Sequence, residues 1–457
     1  MRLFSRAELA ATTRLALPIV LAQVGIMSMG VVDTIMVGRV SAEALAAVAL
    51  GNLYFVTLTI ASSGTLMVLD PIVAQAAGAG DADRIALGVQ RGLLLAIALS
   101  ILCSLALWPV HAMLVLLRQS EPLVTLATSY VRISIVGVLP FLAFNVFRQS
   151  LQALHHVRAV VAVVVVANVV NAALNWVLIY GRFGFPALGV AGSAWATCIS
   201  RWVMMLLLLA IGWGVLRRAL VPWRTAATRL APLAQMVRLG APIGLQQMLE
   251  IGVFAAIGLL MGLLGAQQMA AHQIALNLAS LTFMVPLGVG AAAAVRVGHA
   301  VGEGDRAAVR ERVRTALVVG TGFMVCAAAV LLLAPRAIAA LYTNLAPVAA
   351  LAAALIPIAG VFQVFDGIQA VSAGVLRGLG DTRAPFVINL AGFWLVGFPI
   401  SVALGFHTRL GAVGLWWGLV AGLVVVAAML LGRVRSQLRG PIARTTVDRD
   451  AARLAEG

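Results

Sequence analysis

Long runs of apolar residues, separated by short polar segments, follow one another along the whole chain. A membrane-spanning helix needs about 20 mostly apolar residues, and twelve runs of this kind occur, six in each half. They lie at about 15–37, 45–69, 87–110, 123–147, 159–180, 188–213, 238–263, 269–295, 315–334, 348–375, 384–405 and 411–432. This pattern predicts an all-α integral membrane protein with twelve transmembrane helices. The first run contains Asp33 and no small-residue cleavage site, so we expect a retained span rather than a signal peptide.

The second half of the chain repeats the first at an offset of 224 residues. Matching pairs include Arg14 with Arg238, Pro18 with Pro242, Gln23 with Gln247, Gly80 with Gly304, and Asp81 with Asp305. Because each half has an even number of spans, both halves enter the membrane from the same side. The repeats are therefore predicted to be parallel and related by a pseudo-two-fold axis along the membrane normal. Secondary transporters bind their substrate at the interface of such repeats.

The repeat divides the chain into five predicted segments. They are a cytoplasmic N-terminal segment (1–14), an N-terminal six-helix lobe (15–213), a cytoplasmic linker (214–237), a C-terminal six-helix lobe (238–432) and a basic cytoplasmic tail (433–457). The linker is rich in arginine and contains Pro222 and Pro232. We expect it to let the two lobes move as separate bodies.

Composition and charge placement support a membrane protein. The chain is 62% hydrophobic and 11% charged, with a mean hydropathy of +1.04, whereas soluble domains are about 25% charged. All 32 basic residues are arginine. If the N-terminus is cytoplasmic, 25 of them fall in cytoplasmic segments and five in external ones, the bias of a multi-pass inner-membrane protein with both termini in the cytoplasm. Since these arginines occupy separate loops, no nucleic-acid partner is expected.

Three acidic residues lie well within predicted spans: Asp33 in span 1, Glu250 in span 7 and Asp366 in span 10. A charged side chain at the centre of a membrane helix costs about 2.5–3.5 kcal/mol on insertion scales. Each must therefore be paired, protonated or directed at a water-filled cavity, and only Arg132 and Arg201 lie far enough from the span ends to be pairing candidates. A structural carboxylate that is hydrogen-bonded within the bundle is the alternative.

Amide side chains accompany two of these acids at helical spacing. Gln246 and Gln247 precede Glu250, and Gln363 and Gln369 lie three residues on either side of Asp366. Oxygen ligands of this kind suit a hard cation, while a buried carboxylate equally takes up a proton because burial favours its neutral form. Glu250 and Asp366 are therefore candidates for a Na⁺ or proton site, with Gln247, Gln363 and Gln369 lining a cavity beside it.

The N-terminal half carries its own polar helix face. Asn168, Asn171 and Asn175 recur at steps of three and four residues in span 5. They either line a cavity that Asp33 completes, or form an amide ladder that packs helices together. The sequence leaves both interpretations open. Weaker candidates for the same lining are Asn145 and Gln149.

Two other sequence features are expected to be structural. Cys103, Cys198 and Cys326 lie in separate predicted spans without a CxxC pair, so no disulfide, zinc site or cofactor is expected. The Gly-x-Gly-Asp stretches at 78–81 and 302–305 follow no predicted strand. We interpret them as tight turns rather than as nucleotide-binding loops.

Four stretches resemble the multidrug and toxic compound extrusion (MATE) family and are most similar to its NorM-type branch. They are VVDTIMVG at 31–38, PIVAQAAGAGD at 71–81, APIGLQQMLE at 241–250 and VFDGIQAVSAGVLRGLGDTR at 364–383. The resemblance covers about residues 10–435. It implies that Asp33, Glu250 and Asp366 carry cation coupling and that Asn171 and Asn175 contribute to the N-terminal cavity.

The resemblance also implies export of cationic, amphipathic drugs or dyes in exchange for Na⁺ or H⁺, by alternating access through rocking of the two lobes. We expect a monomer in the lipid bilayer, with no cofactor and no enzymatic activity. The main alternative is a related flippase that exports a lipid-linked or polysaccharide precursor. A membrane-embedded enzyme is disfavoured by the absence of an HExxH motif, and a passive channel because its usual rings are built by oligomers.

Overall fold

The computed structural model describes residues 5–445 and 447. Nearly all of this described chain is helical, and it contains no strand. Residues 1–4 of the predicted N-terminal segment, and residues 446 and 448–457 of the predicted tail, lie outside the described residues.

Seventeen α-helices follow one another in the described residues. They are α1 (Arg6–Gly38), α2 (Ala42–Leu66), α3 (Leu69–Gly78), α4 (Ala82–Leu107), α5 (Val110–Leu116), α6 (Glu121–Ile135), α7 (Val138–Ala153), α8 (Val157–Tyr180), α9 (Val190–Leu220), α10 (Leu230–Leu264), α11 (Ala266–Glu303), α12 (Arg306–Leu333), α13 (Pro335–Tyr342), α14 (Ala346–Gly378), α15 (Arg383–Asn389), α16 (Phe398–Phe406) and α17 (Ala412–Arg439). A π-helical stretch, Leu390–Gly397, joins α15 to α16, and a 3₁₀ turn, Thr225–Thr228, precedes α10.

The predicted all-α membrane fold is confirmed. Eleven helical segments are long and apolar enough to cross a membrane, and α6 with α7, bent by 48° where they meet, make a twelfth. The bent pair corresponds to the predicted span at 123–147. Two short helices, α5 and α13, were not predicted, and with seven and eight residues they are too short to span a membrane. Both begin beside a proline, at Pro109 and Pro335, which suits the first turn of a helix.

The two Gly-x-Gly-Asp stretches are turns, as predicted. Gly80 and Gly304 adopt φ angles of 70° and 78°, in the left-handed region that glycine enters without strain. Asp81 accepts a hydrogen bond from the backbone N–H of Arg84 at 2.9 Å, and Asp305 caps α12 in the same way. Each aspartate therefore satisfies donors in the first turn of the helix that follows it.

The helices form two compact units. Unit 1 contains the described residues up to Val20 together with Leu245–Thr445, and unit 2 contains Leu21–Gly244. The two divisions fall inside α1 and α10, shortly after Pro18 and Pro242, and they are 224 residues apart. The division of the structure therefore follows the period of the sequence repeat, although it does not fall in a loop.

The first turns of α1 contact other helices of unit 1. Glu8 forms an ion pair with Arg296 of α11, and its Oε1 lies 3.9 Å from Nε of Arg312 on α12. Farther along α1, a Cβ added to Gly288 of α11 would lie 3.0 Å from the backbone nitrogen of Val20. The start of α1 therefore packs as part of unit 1.

The first half of α10 packs within unit 2 in the corresponding manner. A Cβ added to Gly240 would clash with the carbonyl oxygen of Thr65, and one added to Gly244 with that of Ala61, both on α2. Glycine allows this close approach of two helix backbones, which stabilises packing in a bilayer.

The segment between α9 and α10 is bound to α4 of unit 2. The buried Gln90 donates hydrogen bonds from Nε2 to the carbonyl oxygens of Ala219 at 2.9 Å and Pro222 at 3.0 Å. Its Oε1 accepts one from the backbone N–H of Arg224 at 2.9 Å, and the Arg224 side chain pairs with Asp83 at 2.6 Å. Most residues of the region predicted as a linker are helical, and these bonds attach it to α4.

In unit 1, α11 and α14 approach each other at backbone distance. A Cβ added to Gly290 would lie 2.7 Å from the carbonyl oxygen of Ala370, and one added to Gly378 would lie 2.6 Å from that of Ala294. Gly290 and Gly374 also face each other directly. These small residues pack α14, the helix that carries Asp366, closely against α11.

We predict that Gly290→Val destabilises the protein by about 1–3 kcal/mol or more, because the new side chain overlaps the backbone of α14. The measurement is the thermal unfolding midpoint of the purified protein in detergent. Gly322→Val, on α12 where a Cβ meets nothing within 4 Å, is the matched control and should leave the midpoint nearly unchanged. Equal midpoints for the two variants would contradict the close contact.

Candidate functional site

Glu250 of α10 is the centre of a hydrogen-bond cluster in unit 1. Its Oε1 accepts N–H bonds from Gln246 at 3.0 Å, from Gln369 at 2.6 Å and from Asn389 at 2.6 Å. The donors lie on α10, α14 and α15, so one carboxylate oxygen joins three helices. We call these four residues and Asp366 the Glu250 cluster.

Asp366 lies on α14, one turn before Gln369, and is 8% exposed. Its charge interacts with that of Glu250. Among the described residues, no arginine forms an ion pair with either acid. Glu250 itself is half-buried. Two interacting carboxylates on membrane helices without a basic partner are costly unless a proton or a cation compensates their charge.

The cluster also holds amide oxygens that have no hydrogen-bond partner among the described residues. These are Oε1 of Gln369 and Oδ1 of Asn389, whose NH₂ groups are bonded to Glu250. One turn before Asp366, Gln363 is fully buried and neither of its amide atoms has a partner in the described chain. Buried polar atoms are normally partnered. Carboxylate and carbonyl oxygens are ligands that hard cations take, so this arrangement can accept one.

A second cluster surrounds Asp33 in unit 2. Its Oδ1 accepts a hydrogen bond from Asn175 of α8 at 2.5 Å, and its Oδ2 accepts one from the Thr197 hydroxyl of α9 at 2.8 Å. Asn175 also donates to Oδ1 of Asn171 at 3.1 Å. All four side chains are buried. We call them the Asp33 cluster; it brings together the predicted residues Asp33, Asn171 and Asn175.

The other predicted polar residues have different surroundings. Asn168 donates to the carbonyl oxygen of Gly25 at 2.9 Å, so the helix-packing interpretation holds for this asparagine. Asn145 accepts a hydrogen bond from Arg148 at 2.8 Å and is not part of the Asp33 cluster. Of the two glutamines that precede Glu250, Gln246 makes the contact, while Gln247 is half-buried on the same helix.

Sequence reasoning missed two residues that complete these clusters, Asn389 and Thr197. Asn389 is the only Asn, Gln, Asp or Glu in the predicted span 384–405. A single amide side chain in an otherwise apolar span could have indicated a polar contact inside the bundle. Thr197 gave no signal, because threonine is common in membrane helices, where its hydroxyl usually bonds to the backbone of its own helix.

We predict that Asn389→Leu destabilises the protein by about 1–3 kcal/mol, because it removes a hydrogen bond to the Glu250 carboxyl group and leaves that acceptor with one donor fewer. In a Glu250→Gln background the same change should cost clearly less. Thermal unfolding of the four proteins of this double-mutant cycle measures the coupling. Asn168→Leu in unit 2 is the control, and its cost should be the same in both backgrounds. Additive effects of Asn389→Leu and Glu250→Gln would contradict the contact.

A family model described as MatE matches the chain twice, at residues 18–177 and 242–403. The second match begins 224 residues after the first. Multidrug resistance protein NorM of Burkholderia vietnamiensis is 39% identical over 431 residues, which cover 92% of each chain. Probable multidrug resistance protein NorM of Mesorhizobium japonicum is 40% identical over 456 residues, 96% of each chain. Multidrug resistance protein MdtK of Pectobacterium atrosepticum is 35% identical over 439 residues, 94% of this chain and 96% of that one.

Solved structures share the fold at lower sequence identity. The eukaryotic MATE transporter AtDTX14 superposes with a TM-score of 0.85 at 22% identity, covering 95% of this chain and 98% of that one. A mutant of the Vibrio cholerae MATE transporter VcmN gives a TM-score of 0.86 at 19% identity, covering 95% and 97%. The predicted family is thus confirmed: the chain belongs to the MatE family of multi-pass membrane transporters, whose members are not enzymes.

Proposed function

We propose that this protein exports amphipathic, cationic drugs or dyes across the inner membrane in exchange for a monovalent cation, Na⁺ or H⁺. Relatives at 35–40% identity over at least 92% of this chain carry the name multidrug resistance protein, which supports the substrate class. The observation that carries the proposal is the pair of membrane-helix acids Glu250, which is half-buried, and Asp366, which is buried, without a basic partner among the described residues.

The exchange follows from the charge of this pair. When Glu250 and Asp366 are both ionised, the site is negative and favours a cationic drug. When a proton or Na⁺ binds, that negative charge is reduced and the affinity for the drug falls. Two ligands that weaken each other's binding in this way are coupled reciprocally. A cation that enters from outside can therefore drive release of the drug to the outside.

The unpartnered oxygens beside the pair support a bound cation. Na⁺ could take a carboxylate oxygen together with Oε1 of Gln369 and Oδ1 of Asn389, both buried and without partners among the described residues. Protonation would instead neutralise a carboxylate directly and leave these amides unchanged. In this proposal Gln247 and Gln363 contribute to the drug-binding cavity of unit 1, and Asn171 and Asn175 to that of unit 2. Asp33 takes part in cation coupling together with Glu250 and Asp366.

The transport cycle in this proposal is alternating access by rocking of the two units. Because a single chain carries both clusters, the active form is a monomer. The excess of arginine in the predicted cytoplasmic segments supports an inner-membrane location with both termini in the cytoplasm.

We predict that Glu250→Gln and Asp366→Asn each reduce cation-driven efflux at least tenfold, because the neutral amide cannot exchange its charge. Dye efflux from cells, with the amount of membrane-inserted protein measured in parallel, tests this. Glu303→Gln, an exposed carboxylate of unit 1 that pairs with Arg312 at 3.3 Å, is the control and should transport normally. Undiminished efflux in both cluster variants would refute the proposal.

Two gradients can be imposed on inverted vesicles: a Na⁺ gradient with the higher concentration in the lumen, or a pH gradient with the lumen acidic. We predict that only one of them drives dye uptake into the vesicles. Each gradient is applied separately while the other ion is held equal on both sides. The driving ion identifies the ligand of the Glu250 cluster, and Glu250→Gln should abolish the response to it. Dye uptake without either gradient, or uptake that Glu250→Gln leaves intact, would contradict coupling at this site.

A further inference from the structure

The helical segment Arg383–Phe406 departs from α-helical geometry beside the Glu250 cluster. Its stretch Leu390–Gly397 is π-helical, and the backbone N–H of Phe398 donates to the carbonyl oxygen of Phe393, five residues earlier. Bonds of this spacing bring residues five apart onto successive turns of the same side, whereas in an α-helix such residues point about 140° away from each other. Single π-helical turns are rare and frequently lie at functional sites. The contacts of this turn are therefore informative.

One side of the π-helical turn bonds to α10 at Glu250. Asn389 donates from Nδ2 to Oε1 of Glu250 at 2.6 Å, and Trp394, five residues later, donates from Nε1 to the backbone carbonyl oxygen of Leu249 at 3.2 Å. The indole also lies against Gly252, because a Cβ added there would lie 3.2 Å from Cζ2 of Trp394. The turn thus contacts both the carboxyl group of Glu250 and the backbone next to it.

Another side of the same turn packs against α17, again through two residues five apart. A Cβ added to Gly392 would lie 3.2 Å from the carbonyl oxygen of Gly422, and one added to Gly397 would lie 3.0 Å from Cα of Gly422 and 3.4 Å from the carbonyl oxygen of Gly418. Small residues allow helix backbones to approach this closely. The π-helical turn therefore lies between α17, which it contacts at backbone distance, and α10, to which it bonds.

The two bonds to α10 act on different parts of one position. Asn389 contacts the carboxyl group of Glu250, while Trp394 contacts the peptide group that precedes it. A binding site has a higher affinity when its groups are held in the bound geometry before the ligand arrives, because less conformational freedom is lost on binding. Restraint of the α10 backbone at Leu249 therefore bears on how tightly the carboxyl group binds a cation.

We propose that Trp394 is a positioning residue of the Glu250 cluster. The π-helical turn brings its indole N–H to α10, and its bond to the Leu249 carbonyl oxygen holds the Glu250 carboxyl group in the geometry that binds the driving cation. Trp394 acts through the backbone of α10 and does not itself touch the ion. This inference rests on the proposed function, and it assigns to Trp394 an effect on cation affinity rather than on the maximal rate of transport.

The variant Trp394→Phe retains an aromatic ring and removes only the N–H donor and part of the ring. Dye uptake into inverted vesicles is measured against lumenal Na⁺ at constant pH, and against lumenal pH at constant Na⁺. For the ion that drives the unmodified protein, Trp394→Phe should raise the half-saturating concentration about 3- to 10-fold, the range for one lost hydrogen bond. The maximal rate per inserted protein should change little. Trp417→Phe, at an exposed position on α17, is the matched control and should leave both quantities unchanged.

The outcomes of this experiment separate the two proposals. Trp394→Phe with an unchanged half-saturating concentration would overturn the inference, whether or not its maximal rate or its amount in the membrane falls, since those losses are what a purely structural role predicts. If the unmodified protein shows no cation-dependent uptake, the proposed function is refuted and the inference falls with it.

A second variant tests the position of the indole from the side of α10. Gly252→Ala places a methyl group against the Trp394 ring and should also raise the half-saturating concentration. In the Trp394→Phe background it should add little, because the smaller phenyl ring leaves room for the methyl group. Gly262→Ala, on the same helix where a Cβ meets nothing within 4 Å, is the control. Independent, additive shifts from Gly252→Ala and Trp394→Phe would contradict the proposal.

Discussion

The cost of placing two ionisable carboxyl groups within a membrane helix bundle is the constraint on which the proposed function of this structure depends. Glu250 and Asp366 interact with each other, and amide groups surround them. Hydrogen bonds from three helices converge on one carboxylate oxygen of Glu250. The close glycine contacts between α11 and α14 fix the helix that carries Asp366.

Duplication explains the shared helices of the two halves, but the charges arose differently in each copy. At the repeat offset Glu250 corresponds to Ile26, and Asp33 corresponds to Ile257, which is fully buried. An acid in one half therefore has an aliphatic side chain as its counterpart in the other. The repeats share the positions of their helices and turns, whereas the two clusters differ in the helices and in the hydrogen-bond donors that form them.

Periodicity in the sequence was sufficient for the spans, the repeat and the neighbours that lie on the same helix, such as Gln246 for Glu250. Contacts between helices could not be derived in this way. Asn389 reaches Glu250 from 139 residues away, and Thr197 reaches Asp33 from 164 residues away, because helix packing and not sequence spacing brings them together. The role of Gln90, which bonds to the segment before α10, was not predicted either, because its partners are 129 or more residues away in the sequence. Short helices such as α5 lack the length on which a hydrophobic pattern depends.

The division of α1 and α10 between the units has a consequence for how the gene copies depend on each other. A protein fragment that starts at the second repeat lacks the Glu8–Arg296 ion pair and the contact of Val20 with Gly288. One that stops before α10 lacks the glycines that lie against Thr65 and Ala61. Each repeat expressed alone would therefore lack contacts that its unit makes in the full chain. Two separate genes for the two halves would yield products that restore these contacts only by exchanging their first helices.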